Sequence, residues 1–270
     1  MPIIKLPSGH DLSCTVDDFT DPWADSDTVI FLHGLAEKGE AWRAWVPHFA
    51  RDYRVIRLDQ RGFGASTPMP EDFDWSMDVF ADDLAYVAGP LKLQRFHLVS
   101  AKLGGTIAIR FAAKYPEMVK SLSIVSAPVS LRQSLGHVIP TWISQIRTQG
   151  MRSWAASTMG NRLGSEMPPA GREAWTDMMG ECAESTMLGI MNILADVDVT
   201  SDLAILRCPV LVVTTTGSLL GSVDAVRTWQ RRIAGSQLAI VDSDSYHVAA
   251  AKPDACAQEV LAFVRKCNAS

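Results

Sequence analysis

The run Val99-Ser100-Ala101-Lys102-Leu103-Gly104-Gly105 sets one chemically active side chain among small and apolar residues. Its spacing predicts a nucleophile elbow, a sharp strand-to-helix turn that lifts one residue above the sheet edge and demands small residues two before and two after it. Ser100 and Gly104 meet that demand, so Lys102 stands where such a turn presents its nucleophile. A lysine there faces the positive end of a helix dipole and the low polarity of a closed pocket. Both disfavour the ammonium and lower its pKa from about 10.4. A neutral amine can act as a base or a nucleophile. As an acyl acceptor it would stall, because attack on an ester leaves an amide. Two productive roles remain: a Schiff base with a ketone or aldehyde, and proton transfer beside a site that stabilises an enolate oxygen.

The elements that must position this residue follow from short apolar runs. Thr28 to Leu32, Arg54 to Leu58, Phe96 to Val99, Leu122 to Val125, Val210 to Val213 and Gln237 to Val241 read as buried strands of a parallel sheet. Ser76 to Val87, Gly105 to Lys114, Val223 to Ile233 and Ala255 to Val264 carry apolar residues at helical spacing. Alternating strand and helix implies an α/β sheet covered on both faces. The alternation breaks between about Pro128 and Asp202, a stretch rich in Trp, Met and helix formers. We read residues 129–201 as an inserted helical cap and residues 1–128 and 202–270 as the core. Most of the cap's aromatic and Met residues should form its own core. Trp142 and Trp154 are the choices for lining an apolar pocket between cap and core.

With the elbow in place, three further landmarks occur in the order of the α/β-hydrolase superfamily, which the chain resembles along nearly its whole length. Phe31-Leu32-His33-Gly34-Leu35 resembles the oxyanion loop, Asp59-Gln60-Arg61-Gly62-Phe63-Gly64-Ala65-Ser66 resembles the turn after the next strand, and Tyr246-His247 follows the last strand. The resemblance implies an α/β-hydrolase fold: a mostly parallel central sheet flanked by helices, with a helical cap. It further implies an oxyanion hole from the backbone N–H groups of Leu35 and Leu103, and His247 as general base. His33 is expected to orient the loop or contact substrate, while His10, His48, His97 and His137 look uninvolved. The third triad member is missing, because the two positions where the family carries an acid fall here at Ser218 and near Ser126. Asp224 belongs to an expected helix and Asp242 to a turn.

The net charge of −5 offers no basic stripe for nucleic acid or an anionic membrane. Five scattered cysteines lack metal-ligand spacing and suit reduced thiols in the cytoplasm. Neither a membrane span nor an export signal is expected, and no GxGxxG, phosphate loop or flavin motif appears, so no cofactor and no metal are expected. The reading is a cytoplasmic, cofactor-independent enzyme acting on a small apolar carbonyl compound, by C–C cleavage, decarboxylation, elimination or isomerisation. Lys102 and His247 are its reactive pair, its partner is a small-molecule substrate, and a homodimer stays open. Two alternatives stand beside it. One is a conventional ester, lactone or C–C bond hydrolase whose serine has been replaced by Lys102 in the laboratory; the other is a non-catalytic ligand-binding protein on the same fold.

Overall fold

The computed structural model describes residues 2–218 and 221–268. Its strands are β1 (Ile3–Lys5), β2 (Asp11–Asp17), β3 (Thr28–Leu32), β4 (Arg54–Asp59), β5 (Phe96–Ala101), β6 (Val119–Val125), β7 (Val210–Thr215) and β8 (Gln237–Val241). They form one sheet in the order β1-β2-β4-β3-β5-β6-β7-β8. β1 and β2 pair antiparallel with each other and β2 antiparallel with β4, while every pairing from β4 to β8 is parallel. The fold is the α/β-hydrolase fold.

The inner parallel strands β3 to β7 are largely apolar on both faces because helices cover both. In β3, Ile30 and Leu32 enter one core while Val29 and Phe31 enter the other, and in β7 Val210 and Val212 alternate in the same way with Leu211 and Val213. The helices are α1 (Val46–Phe49), α2 (Met77–Ala88), α3 (Leu103–Lys114), α4 (Leu131–Leu135), α5 (Ile139–Leu163), α6 (Pro169–Gly180), α7 (Glu184–Leu194), α8 (Val223–Gln230), α9 (Val248–Ala251) and α10 (Pro253–Asn268). Helices α2 and α3 cover the first face. Helices α1, α9 and α10 cover the second. The short amphipathic strands β1 and β2 were not anticipated, and the helix expected after His247 is two, α9 and α10, meeting at Lys252 before Pro253.

Helices α4 to α7 fill the stretch between β6 and β7. Helix α5 breaks at Gly150, whose φ of 80° lies outside the helical region. Its last turn is bonded to the loop after β8: Arg162 O accepts the His247 N–H at 3.0 Å and the Ser245 hydroxyl at 2.6 Å. Helix α5 therefore holds the histidine loop directly. None of the helices among the described residues is long and apolar enough to cross a membrane.

The turn from β5 into α3 depends on Gly104. A Cβ there would stand 2.4 Å from the carbonyl oxygen of His33 and 2.5 Å from that of Leu32, and these backbone atoms cannot swing aside. We therefore expect Gly104→Ala to lose about 2 kcal/mol in urea unfolding. Gly160→Ala, where a Cβ meets nothing within 4 Å, should be neutral or gain about 0.5 kcal/mol from helix propensity.

Candidate active site

Lys102 sits at φ 56°, ψ −127°, a region a side chain adopts only under constraint. The surroundings impose it: Lys102 N–H donates to Val125 O at 3.3 Å, and its carbonyl receives the Gly105 N–H at 3.0 Å as α3 begins. This strained turn carries the lysine over the C-terminal edge of β5, where Nζ donates to Tyr246 O at 3.0 Å and lies 4.4 Å from the centre of the Tyr246 ring.

The residue that sequence reasoning missed is Glu37. It stands three residues past Gly34, on the loop after β3, and is 2% exposed. Its Oε2 accepts the Gly34 N–H at 2.9 Å, and its Oε1 lies 2.9 Å from His247 Nε2. A Cβ on Gly34 would stand 2.6 Å from Glu37 Oε1 and 2.9 Å from Lys102 Cβ, so only glycine lets the two side chains share this space. The loop is anchored from both ends. Asp59 accepts the Gly39 N–H at 2.6 Å and the Ala65 N–H at 2.9 Å, which gives the Asp-x-Arg-Gly turn a structural role. His33 accepts the Gln60 N–H on Nε2 at 3.0 Å, so Nδ1 carries the proton and donates to Gly34 O at 2.8 Å. His33 thus orients the Gly34 peptide and does not line the cavity.

Because an ionised carboxylate only accepts, His247 Nε2 carries its ring's proton and donates it to Glu37. Nδ1 is then the unprotonated nitrogen, buried and without a hydrogen-bond partner among the described residues. No carboxylate stands behind it. Positions 126 and 218 are serines, Asp242 accepts the Thr216 hydroxyl at 2.7 Å, and Asp224 pairs with Arg227 on the exposed face of α8.

A second unforeseen residue comes from α5. Arg162 is 4% exposed, with Nη1 3.7 Å from Glu37 Oε1 and Cζ 5.4 Å from the Tyr246 ring centre. Trp175 of α6 meets the His247 ring edge to face at 5.2 Å. Helices α5 and α6 thus bring one cation and one aromatic ring to the site.

The electrostatics follow from this arrangement. Burial would raise the Glu37 carboxyl, but the charge and hydrogen bond of His247, the charge of Arg162 and the Gly34 N–H outweigh it and hold it at about 2. Burial pushes the Lys102 amine well below the ordinary lysine range; Arg162 adds to the fall and Glu37 opposes it. The Tyr246 ring offers a desolvated ammonium about 2 kcal/mol or somewhat more, against several for taking it out of water. One carboxylate cannot balance two buried cations, and an arginine does not give up its proton. Of the two, Lys102 is the one whose charge the site disfavours. Burial also lowers His247, against the charge and hydrogen bond of Glu37 and with the charges of Lys102 and Arg162.

Lys102, Arg162, Leu35, Leu103, Leu131 and Trp142 line an otherwise apolar cavity of about 40 Å³, where one water needs about 10–15 Å³. Leu103 is the first residue of α3, so its N–H has no acceptor within the helix. The structure thus brings Lys102, Leu35, Leu103 and Trp142 to one cavity, while His247 stands behind it, paired with Glu37, and lines no part of it. Trp154 lies elsewhere: fully buried, it packs edge to face behind Trp142 at 5.6 Å and lines no part of the cavity.

The architecture and this site define an α/β-hydrolase-type protein. A family model described as the alpha/beta hydrolase fold matches residues 27–167, and the chain belongs to that family. It is similar to the putative carbamate hydrolase RutD of Rhizobium rhizogenes, 24% identical over 249 residues, which span 89% of this chain and 94% of that protein. It is also 26% identical over 265 residues to the non-heme chloroperoxidase CPO-A1 of Kitasatospora aureofaciens, spanning 92% and 93% of the two chains. The crystal structure of the enol-lactonase from Burkholderia xenovorans LB400 superposes with a TM-score of 0.87 over 98% of this chain and 100% of that one, at 18% identity. That last likeness is one of fold.

Proposed function

We propose that the protein is a cofactor-independent enzyme that moves a proton next to the carbonyl group of a small substrate, with Lys102 as its base. The observation that carries the proposal is a buried amine on the elbow turn, facing a cavity that also borders Leu35 and Leu103, while His247 is committed to Glu37. The substrate carbonyl oxygen lies against the Leu35 and Leu103 N–H groups, which act as the oxyanion hole. The C–H bond on the adjacent carbon breaks, its proton goes to Nζ, and its electron pair moves into the carbonyl to leave an enolate. Return of the proton to another carbon is isomerisation. Departure of a group from the next carbon is elimination, and a carbon–carbon bond that breaks in place of the C–H bond reaches the same enolate. The Glu37–His247 pair supplies the negative charge that steadies the ammonium once it forms. Proton transfer is preferred to a Schiff base, because an iminium has lost the oxygen that the two N–H groups would hold. The helical insertion acts as the cap, with Trp142 in its wall. The substrate is a small molecule, and the chemistry calls for no nucleic acid, membrane or bound cofactor.

The laboratory-substitution reading is disfavoured by the His247 ring, whose Nδ1 has no carboxylate and whose Nε2 already carries the proton. A serine at position 102 would meet no base. The test is deuterium exchange from solvent into a panel of small methyl ketones, followed by NMR. We expect exchange by the wild type and a loss of about 10²-fold or more in Lys102→Ala, with Lys102→Ser giving no hydrolysis of p-nitrophenyl acetate above background. Equal exchange by wild type and Lys102→Ala would sink the proposal. Rapid ester hydrolysis by Lys102→Ser would restore the conventional hydrolase.

A further inference from the structure

The Arg162 guanidinium is more than the Glu37–His247 pair needs. Glu37 has both oxygens engaged, Oε2 by the Gly34 N–H and Oε1 by His247 Nε2. Arg162 Nη1 stands 3.7 Å from Oε1, outside hydrogen-bond distance, and Nε is buried with no partner. A guanidinium presents five N–H donors in a planar fork whose geometry matches a carboxylate. A side chain only 5% exposed with such donors unused is costly unless something accepts them. This one borders the cavity that Lys102 also borders, between apolar walls from Leu35, Leu103, Leu131 and Trp142. The backbone of Arg162 is fixed by the His247 N–H and the Ser245 hydroxyl, which sets the root of the side chain before any ligand arrives.

We infer that the substrate is an oxo acid, whose carboxylate is bound by Arg162 while its carbonyl is presented to Lys102. The inference rests on the carbonyl chemistry proposed above and adds the substrate's charge and the residue that selects it. Arg162 is then the specificity-determining residue, contributed by the insertion, and the insertion closes on the substrate's anionic end. The carboxylate held by the fork is retained through the reaction, and the chemistry takes place at the other carbonyl.

The probes are 4-oxopentanoate and its neutral isostere 4-oxopentanamide, titrated by calorimetry into the intact protein. We expect the wild type to bind the acid about tenfold or more tightly than the amide, the range of a charge-assisted hydrogen-bonded pair. In Arg162→Gln the two should bind within about twofold of each other. In Lys102→Met the preference for the acid should persist, which separates the guanidinium from the amine as its source. Equal binding of acid and amide by the wild type would overturn the inference, as would a preference that survives Arg162→Gln. Calorimetry needs no turnover, so a preference for the acid without any deuterium exchange would sink the proton-transfer proposal alone. Exchange without that preference would sink this inference alone.

Discussion

Glu37→Gln lowers the unfolding free energy at pH 7 by about 3 kcal/mol, because it leaves the Arg162 guanidinium buried with no anion and removes the acceptor of His247. The size follows from the pKa: the folded carboxyl is held at about 2, against 4.5 for the ordinary group, and each unit corresponds to about 1.4 kcal/mol. The sign fixes the pH window. A carboxyl depressed in the folded state stabilises fully above its unfolded pKa and loses that contribution as pH falls through the folded one. The gap between wild type and variant is therefore expected to stay level from pH 7 to 5, shrink to about half by pH 3, and close further toward pH 2. Urea unfolding at four or five pH values measures it. A gap that does not change with pH would show that glutamine disrupts packing and that the Glu37 charge has no part in stability.

Lys102→Met is expected to act in the opposite direction, abolishing exchange chemistry while stabilising the protein by about 1–3 kcal/mol at pH 7. Methionine fills nearly the same volume without an amine to desolvate. The folded state holds Lys102 well below the ordinary lysine value of 10.5, so the unfolded chain binds the extra proton and stability rises with pH. The cost of the buried amine is present at neutral pH and fades as the solution approaches 10.5. The advantage of Lys102→Met should fade over the same window. Titration of the Lys102 Cε resonance in protein carrying ¹³C-labelled lysine gives the independent check, with an inflection well below those of the exposed lysines. An inflection near 10.5 would mean that the amine is charged at pH 7 and would remove its role as a base.

Both effects trace to contacts that differ sharply in how they could be read. The elbow was legible because its requirement is local: the chain passes so close to the Leu32 and His33 carbonyls that a Cβ at Gly104 would stand 2.4–2.5 Å from their oxygens, and only small residues at fixed offsets from Lys102 allow that. The inner parallel strands β3 to β7 were legible because a strand buried on both faces reads as a continuous apolar run, and β8, at one edge and partly exposed, still carries the apolar run Leu238 to Val241. The edge pair β1 and β2 was not. It is short, partly exposed and antiparallel, so no such run marks it.

Glu37 and Arg162 were illegible for a different reason. Nothing local separates Glu37 from the chain's other carboxylates, since its partner His247 lies 210 residues away. The one signal within reach was its place three residues after Gly34, close enough to accept that glycine's N–H. Arg162 sits in a helix whose average polarity suits a solvated surface, and only the packing of α5 against the loop after β8 puts it indoors. The apolar pattern, the small residues of the elbow and the absence of an acid after β6 and β7 were determined by sequence alone, because each is a statement about neighbours along the chain. Which nitrogen of His247 carries the proton, that burial lowers the Lys102 amine and that a buried guanidinium borders the cavity were decided by tertiary structure. Burial multiplies the worth of a charge several-fold, and burial is a property of the folded whole.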